Sequence, residues 1–239
     1  MPASASTKAA KSAREKVASK HKGARPIRRA PTSSKAARAV SRQTQAERRE
    51  KAELGILAAA LGIIADRGID ELTLAEAGVA AGYSRALPAH YFESKDAALV
   101  ALCGFVVEQY LDRVQRQVPG REGLEGFLDR LGHYFDDGRK DPRVLRAFHA
   151  ILGAAPGKPE LARSISKLAE ESKATFAMYL RQGMERGEIR ADIVPEVEAV
   201  WMLASLRGIM GQWLNDDSKT PLNEVRDAFI ASVRRALQP

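Results

Sequence analysis

The chain has 239 residues and a mass of 26.0 kDa, and its 45% hydrophobic content supports a real core and excludes disorder throughout. Its formal net charge of +8 is unevenly placed: residues 1–46 hold twelve Lys and Arg against one acid, Glu15, hence +11, so the remainder carries −3. A single cysteine, Cys103, excludes an internal disulfide, and no uninterrupted apolar run is long enough for a membrane span, so the expected setting is cytoplasmic without a membrane partner.

Residues 1–46 are rich in Ala, Ser, Lys, Arg and Pro and nearly free of large apolar side chains, so they are expected to form a disordered basic tail. Such a tail suits an arm that follows DNA phosphates, and it suits equally a dispensable solubilising extension. It lacks the apolar core of a secretory signal. From Glu47 the pattern changes. Leu54, Leu57, Ala58, Leu61, Ile64 and Ala65 fall on one helical stripe, and Gly68 is placed to end that helix. Leu72, Leu74, Val79 and Leu87 are candidates to complete a small core with it.

The stretch Thr73–Lys95 reads as two short helices with a tight break. Thr73 stands at an N-cap position with Glu76 three residues later, the spacing of a reciprocal capping box. Gly82 is free to take the positive φ of a sharp turn, and Ser84 is a second N-cap for a helix carrying Arg85 to Tyr91. This layout is that of a helix-turn-helix, whose second helix enters the major groove of DNA.

On Thr73, Ala80-Ala81-Gly82, Ser84-Arg85, His90-Tyr91-Phe92 and Ser94-Lys95-Asp96, the stretch resembles the TetR family of transcriptional regulators. Ala77, Pro88 and Ala89 depart from the family pattern: a branched apolar residue is usual at the first, Pro88 sits inside the reading helix, and Ala89 replaces a tyrosine. The resemblance implies a helix-turn-helix domain over 47–95 with the reader at 73–92. Arg85, Leu87 and Ala86 would meet base edges, and Thr73, Ser84, His90, Tyr91 and Lys95 would hold phosphates of double-stranded DNA. For Lys95 the residues add an argument of their own, since a cation in a first helical turn opposes the helix dipole unless an anion binds there.

A helix from about Ser94 to Gln117 carries Leu99, Leu102, Cys103, Val106, Val107, Tyr110, Leu111 and Val114 on one stripe, and a connecting helix is expected over 96–118. After Pro119-Gly120 the chain reads as helices near 122–138, 142–154, 159–187, 195–215 and 222–237, with no strand alternation. The fold class is therefore all-α, with residues 119–239 as a C-terminal body. Val197–Leu214 is apolar in nearly every direction and must be covered on both sides. The resemblance assigns its last two helices to a homodimer interface, for which the candidates are Leu206, Met210, Trp213, Phe229 and Val233. The other reading is the ordinary core of a monomer.

Phe127, Tyr134, Phe148, His149, Phe176, Tyr179 and Trp201 are the candidates for an apolar cavity holding a small-molecule effector. They suit a plain core equally well. His133 with Asp136 or Asp137 suggests a metal less well than a solvated helix face, and no metal or cofactor is expected. With four histidines and no HExxH, P-loop or G-x-S-x-G, the sequence contains no recognisable catalytic constellation. The leading reading is a dimeric repressor that binds a palindromic operator and is released by a ligand in the C-terminal body. The alternative is an architectural, largely nonspecific DNA-binding protein that uses the basic tail, a reading that leaves the large apolar half without purpose.

Overall fold

Thr44 and Glu47 form a reciprocal capping box at the head of the first described helix. Thr44 Oγ1 accepts from the Glu47 amide at 3.2 Å, and Glu47 Oε2 accepts from the Thr44 amide at 2.9 Å. The computed structural model describes residues 44–216 and 219–239, and the expected tail falls mostly on 1–43, outside the described residues. The capping box opens α1 (Gln45–Arg67) two residues before the predicted start, and Gly68 closes it at φ 92°.

Then follow α2 (Leu74–Ala80), a 3-10 turn at Leu87–His90, α3 (Lys95–Gln117), α4 (Gly123–Lys140) and α5 (Pro142–Ala154). A second 3-10 turn (Ala155–Gly157), α6 (Pro159–Glu185), α7 (Pro195–Asn215) and α8 (Leu222–Leu237) complete the chain. No strand occurs among the described residues, and none of their helices is long and apolar enough to cross a membrane. The C-terminal helices start and stop within two residues of the predicted positions, because Pro142, Pro159 and Pro195 each stand in a first helical turn, where a missing N–H costs nothing.

Two apolar cores share the work. The first joins Ile56, Leu61 and Ile64 of α1 with Leu72, Phe92, and Leu99 and Leu102 of α3, and it continues into Ala147 and Ile151 of α5 and Leu161 of α6. The second joins Phe127, Leu131 and Phe135 of α4 with Leu180 of α6, Met202, Leu206 and Met210 of α7, and Val233 and Leu237 of α8. Cys103 is buried in the first core, where burial pushes its thiol up to about 11, leaving it protonated and inert.

The predicted α1 stripe needs rotating. Leu54 and Ala58 are exposed, whereas Ile56, Ala60 and Ile63 are buried. Apolar residues fill α1 so densely from Ile56 to Ala65 that spacing alone does not centre the stripe; packing against α2, α3 and α5 does. Val79, expected in the core, is 49% exposed, and Leu111 on α3 is exposed as well.

The assignments on α7 and α8 also change. Leu206, Met210, Trp213 and Val233, expected at a dimer interface, are buried inside the protomer, and Phe229 is half-buried with its ring 5.8 Å from that of Phe135. The open face of α7 is instead formed by Val197, Val200, Trp201 and Ala204, continued by Val194 before the helix. Residues twelve apart point roughly 120° from one another on an ideal helix, and Trp213 accordingly turns into the second core while Trp201 is exposed.

Candidate nucleic-acid interface and ligand cavity

At the head of α2, Thr73 Oγ1 accepts from the Glu76 amide at 3.2 Å, which is the N-cap expected there. The reciprocal half of the box is missing, because the Glu76 carboxylate turns to Arg67 Nη2 at 2.5 Å, a charged donor in the last turn of α1. The end of α2 is closed by Gly82 at φ 81°, whose amide donates to the Val79 carbonyl at 2.9 Å, and by the Tyr83 amide donating to the Gly78 carbonyl at 2.8 Å.

The second helix of the motif is shorter than predicted. Only Leu87–His90 is helical, as a 3-10 turn, and Ser84 makes no side-chain cap; its carbonyl accepts from the Leu87 amide at 3.2 Å. Pro88 is the cause. It has no N–H to donate, and its ring disfavours the α conformation at Leu87. The Pro88 carbonyl nevertheless accepts from both the Tyr91 and Phe92 amides, at 3.0 and 2.9 Å, so the chain leaves the turn in a defined direction.

This geometry exposes Thr73, Ser84, Arg85, Ala86 and His90 on the surface, with Leu87 and Tyr91 half-buried against the first core. Lys95 sits in the first turn of α3, behind the Ser94 cap, and its Nζ donates to the Asp70 carbonyl at 3.0 Å. One of its three protons is thereby committed and the ammonium is tethered across the motif.

Gln45, Arg48 and Arg49 from the start of α1 join Leu87, His90 and Tyr91 in lining a groove, and the Arg49 guanidinium lies 5.7 Å over the Tyr91 ring. Sequence reasoning missed Arg48 and Arg49. The Thr44-x-x-Glu47 signature, which places both arginines in the first turns of a helix, was the available signal.

Below the motif, α3, α4, α5, α6 and α7 line a partly open cavity of about 150 Å³. Its wall includes Val106 and Tyr110 of α3, Tyr134 and Asp137 of α4, Leu145 and Phe148 of α5, Leu168 and Thr175 of α6, and Leu203 and Arg207 of α7. Arg113 grips Asp137 with two hydrogen bonds, Nε to Oδ1 at 2.6 Å and Nη2 to Oδ2 at 2.9 Å. The Tyr110 and Tyr134 rings meet edge to face at 5.9 Å. Burial pushes the Tyr134 hydroxyl up to about 12, and burial followed by the neighbouring Tyr134 and Asp137 pushes that of Tyr110 higher still, so both stay protonated. The Tyr134 hydroxyl has no hydrogen-bond partner.

Of the predicted cavity residues, the structure brings Tyr134 and Phe148 to the wall. Phe127 and Phe176 pack edge to face at 5.5 Å in the second core, and Tyr179 lies 4.8 Å beneath the Arg130 guanidinium. His149 lies beside Gly211 of α7, outside the cavity wall. Trp201 is 61% exposed, so its assignment to the cavity is corrected: α7 turns its Leu203 and Arg207 inward and Trp201 outward. Asp136 and Asp137, weighed above for a metal, are engaged by Arg226 at 2.6 Å and by Arg113, and among the described residues no group of three or more His, Cys, Asp or Glu is arranged to hold an ion. Arg207 was legible but overlooked, being the only charged residue between Glu198 and Asp216.

Residues 56–102 match the family described as bacterial regulatory proteins, tetR family, and residues 121–238 match the C-terminal family described as BetI-type transcriptional repressor. The chain is 26% identical to the HTH-type transcriptional regulator CymR of Pseudomonas putida over 199 residues, covering 81% of this chain and 94% of that protein. It is 24% identical over 159 residues to the HTH-type transcriptional regulator BetI of Cronobacter sakazakii, covering 64% and 79%. Its fold is similar to that of the transcriptional regulator FadR from Bacillus subtilis in complex with stearoyl-CoA, with a TM-score of 0.69 at 16% identity, covering 77% of this chain and 98% of that one.

Proposed function

From a chain that belongs to the TetR family of bacterial transcriptional regulators, a family of DNA-binding proteins and not of enzymes, we propose a repressor that binds a palindromic operator as a homodimer and is released by a small molecule in the cavity. The observation that carries this reading is the path of α3. Its N-terminal turn, with Ser94 and Lys95, abuts the exposed helix-turn-helix, and Val106 and Tyr110 on the same helix line the cavity.

A rigid element shared by two sites is what coupling between them requires. Lys158 Nζ donates to Asp96 Oδ1 at 2.5 Å, tying the start of α3 to the approach to α6, and Arg143 of α5 holds Asp66 near the end of α1 with Nε at 3.1 Å. A ligand that pushes α3 and α5 apart therefore moves both supports of the reader. Such a ligand acts only through its preference for the displaced state, so the shift in DNA affinity is bounded by that preference.

The exposed strip Val197, Val200, Trp201 and Ala204 supports the homodimer, because contiguous apolar surface of this kind marks an interface and a two-fold protein matches a two-fold site. In the groove, Arg85 and Ala86 with Leu87 meet base edges, and Thr73, Ser84, His90, Tyr91 and Lys95, with Arg48 and Arg49, hold phosphates. Selection from a random DNA pool by the full-length protein tests the proposal. Enrichment of an inverted repeat is expected, and enrichment of nothing beyond a general charge preference would favour a nonspecific binder.

A further inference from the structure

One guanidinium of the cavity wall is paired with no carboxylate among the described residues. Arg207 lies on its α7 wall beside Leu203, and no hydrogen bond or ion pair reaches it from the described residues. The carboxylates of the wall are accounted for elsewhere: Asp137 is held by both arms of Arg113, Asp141 caps α5 through the Val144 amide at 3.3 Å, and Glu171 is exposed. Arg207 is half-buried, and a charge partly withdrawn from water is ordinarily paired, because the hydration it loses must be replaced.

The second unsatisfied group lies on the same wall. The Tyr134 hydroxyl is buried with no partner, remains protonated and is therefore free to donate, and it is close enough to Arg207 for each to perturb the other's ionisation. Two residues of one wall thus carry donors without an acceptor. Val106, Phe148 and Leu203 supply the apolar walls. A volume of about 150 Å³ equals that of a protein cavity that accommodates one benzene ring.

We infer that the effector is a small organic monocarboxylate, with its headgroup accepting from Arg207 and the Tyr134 hydroxyl and a body of about one ring, or a short alkyl chain, between Val106, Phe148 and Leu203. A single unpaired guanidinium matches a single negative charge. This inference rests on the reading of the cavity as an effector site.

The experiment is calorimetric titration of the full-length protein with benzoate, phenylacetate, hexanoate and octanoate, each beside its primary amide. At least one acid is expected to bind about 10- to 100-fold more tightly than its amide, the factor set by hydrogen bonds to a charged partner. Arg207→Met should abolish that preference without weakening the amide, and should raise the thermal midpoint of the unliganded protein by removing an unpaired charge. Tyr134→Phe, which keeps the ring, should reduce the preference in part. Equal affinity for acid and amide in the wild type, an undiminished preference in Arg207→Met, or no binding by any acid would each overturn the inference.

A parallel titration of the selected operator separates the two readings. Acids that bind through Arg207 but leave DNA affinity unchanged would sink the effector reading and leave the anion site standing. Amides that release DNA as well as the acids would do the opposite.

Discussion

A Cβ on Gly78 would lie 2.8 Å from Pro88 Cγ, so the two halves of the helix-turn-helix close on each other only because residue 78 has no side chain. The Ser84 carbonyl is equally close, and Pro88 is buried in the contact. Gly78→Ala should therefore destabilise the protein by about 1–3 kcal/mol, as overpacking does. Chemical denaturation reads this, and combining it with Pro88→Ala should recover part of the loss through a coupling of about 0.5–3 kcal/mol. Strictly additive losses would mean that the ring and the glycine do not share the strain.

Arg85 is exposed beyond the Gly82 turn, whereas Lys95 is tethered to the Asp70 carbonyl at its far side. If Arg85 reads a base edge, Arg85→Ala should cost about 1–3 kcal/mol on the selected operator and relax preference at particular bases. Lys95→Ala should weaken all DNA alike and reduce the salt slope by about one unit. Fluorescence anisotropy on operator and scrambled DNA at several salt concentrations distinguishes them; equal losses on both DNAs for Arg85→Ala would reassign it to a phosphate.

The local signals were the legible ones. Thr73, Gly82, Ser94 and the prolines at 142, 159 and 195 act within three or four residues of themselves, and the structure follows each of them. Ser84 failed as a cap because a buried proline four residues later overrode it. The long-range assignments were harder for a physical reason. On α7, apolar residues surround the axis, so a period of 3.6 selects no face, and only the packing of α4, α5 and α6 decides that Trp213 turns inward and Trp201 outward. Arg207 carried the opposite signal, one charge in an apolar helix, and that was readable without coordinates.

His133 and His149 each bury Nε2 without a hydrogen-bond partner, and burial, ahead of any neighbouring charge, holds both below the ordinary histidine value of 6.5. The folded state thus binds fewer protons than the unfolded chain as pH falls below about 6.5, so stability is complete above that value and is lost through the lower folded values. Carboxylates held low by arginines, such as Glu125 by Arg234, titrate below 4.5 and leave the interval from pH 7 to 5 to the histidines. Thermal midpoints should fall across that interval, and His133→Leu with His149→Leu should flatten the fall. An unchanged slope in the double variant would place the titration elsewhere.

Trp201 is 61% exposed in the protomer and Trp213 is 5% exposed, so a carboxylate at each should fail differently. Trp201→Glu leaves the core intact and, through two-fold symmetry, sets two unpaired charges into one interface. A folded monomer is expected, seen as native far-ultraviolet dichroism at half the wild-type mass. Trp213→Glu buries a lone charge in the second core and should unfold the body instead. A stable dimer of Trp201→Glu would move the interface off this strip.

Two copies, joined through the open face of α7, are expected to read one two-fold site. Sedimentation velocity of the full-length protein, alone and with the selected duplex, tests it most directly. A dimer that binds as two protomers per duplex is expected, with Trp201→Glu sedimenting as a monomer and keeping only weak, salt-sensitive affinity. A wild-type monomer that occupies the duplex one to one with full sequence preference would contradict it.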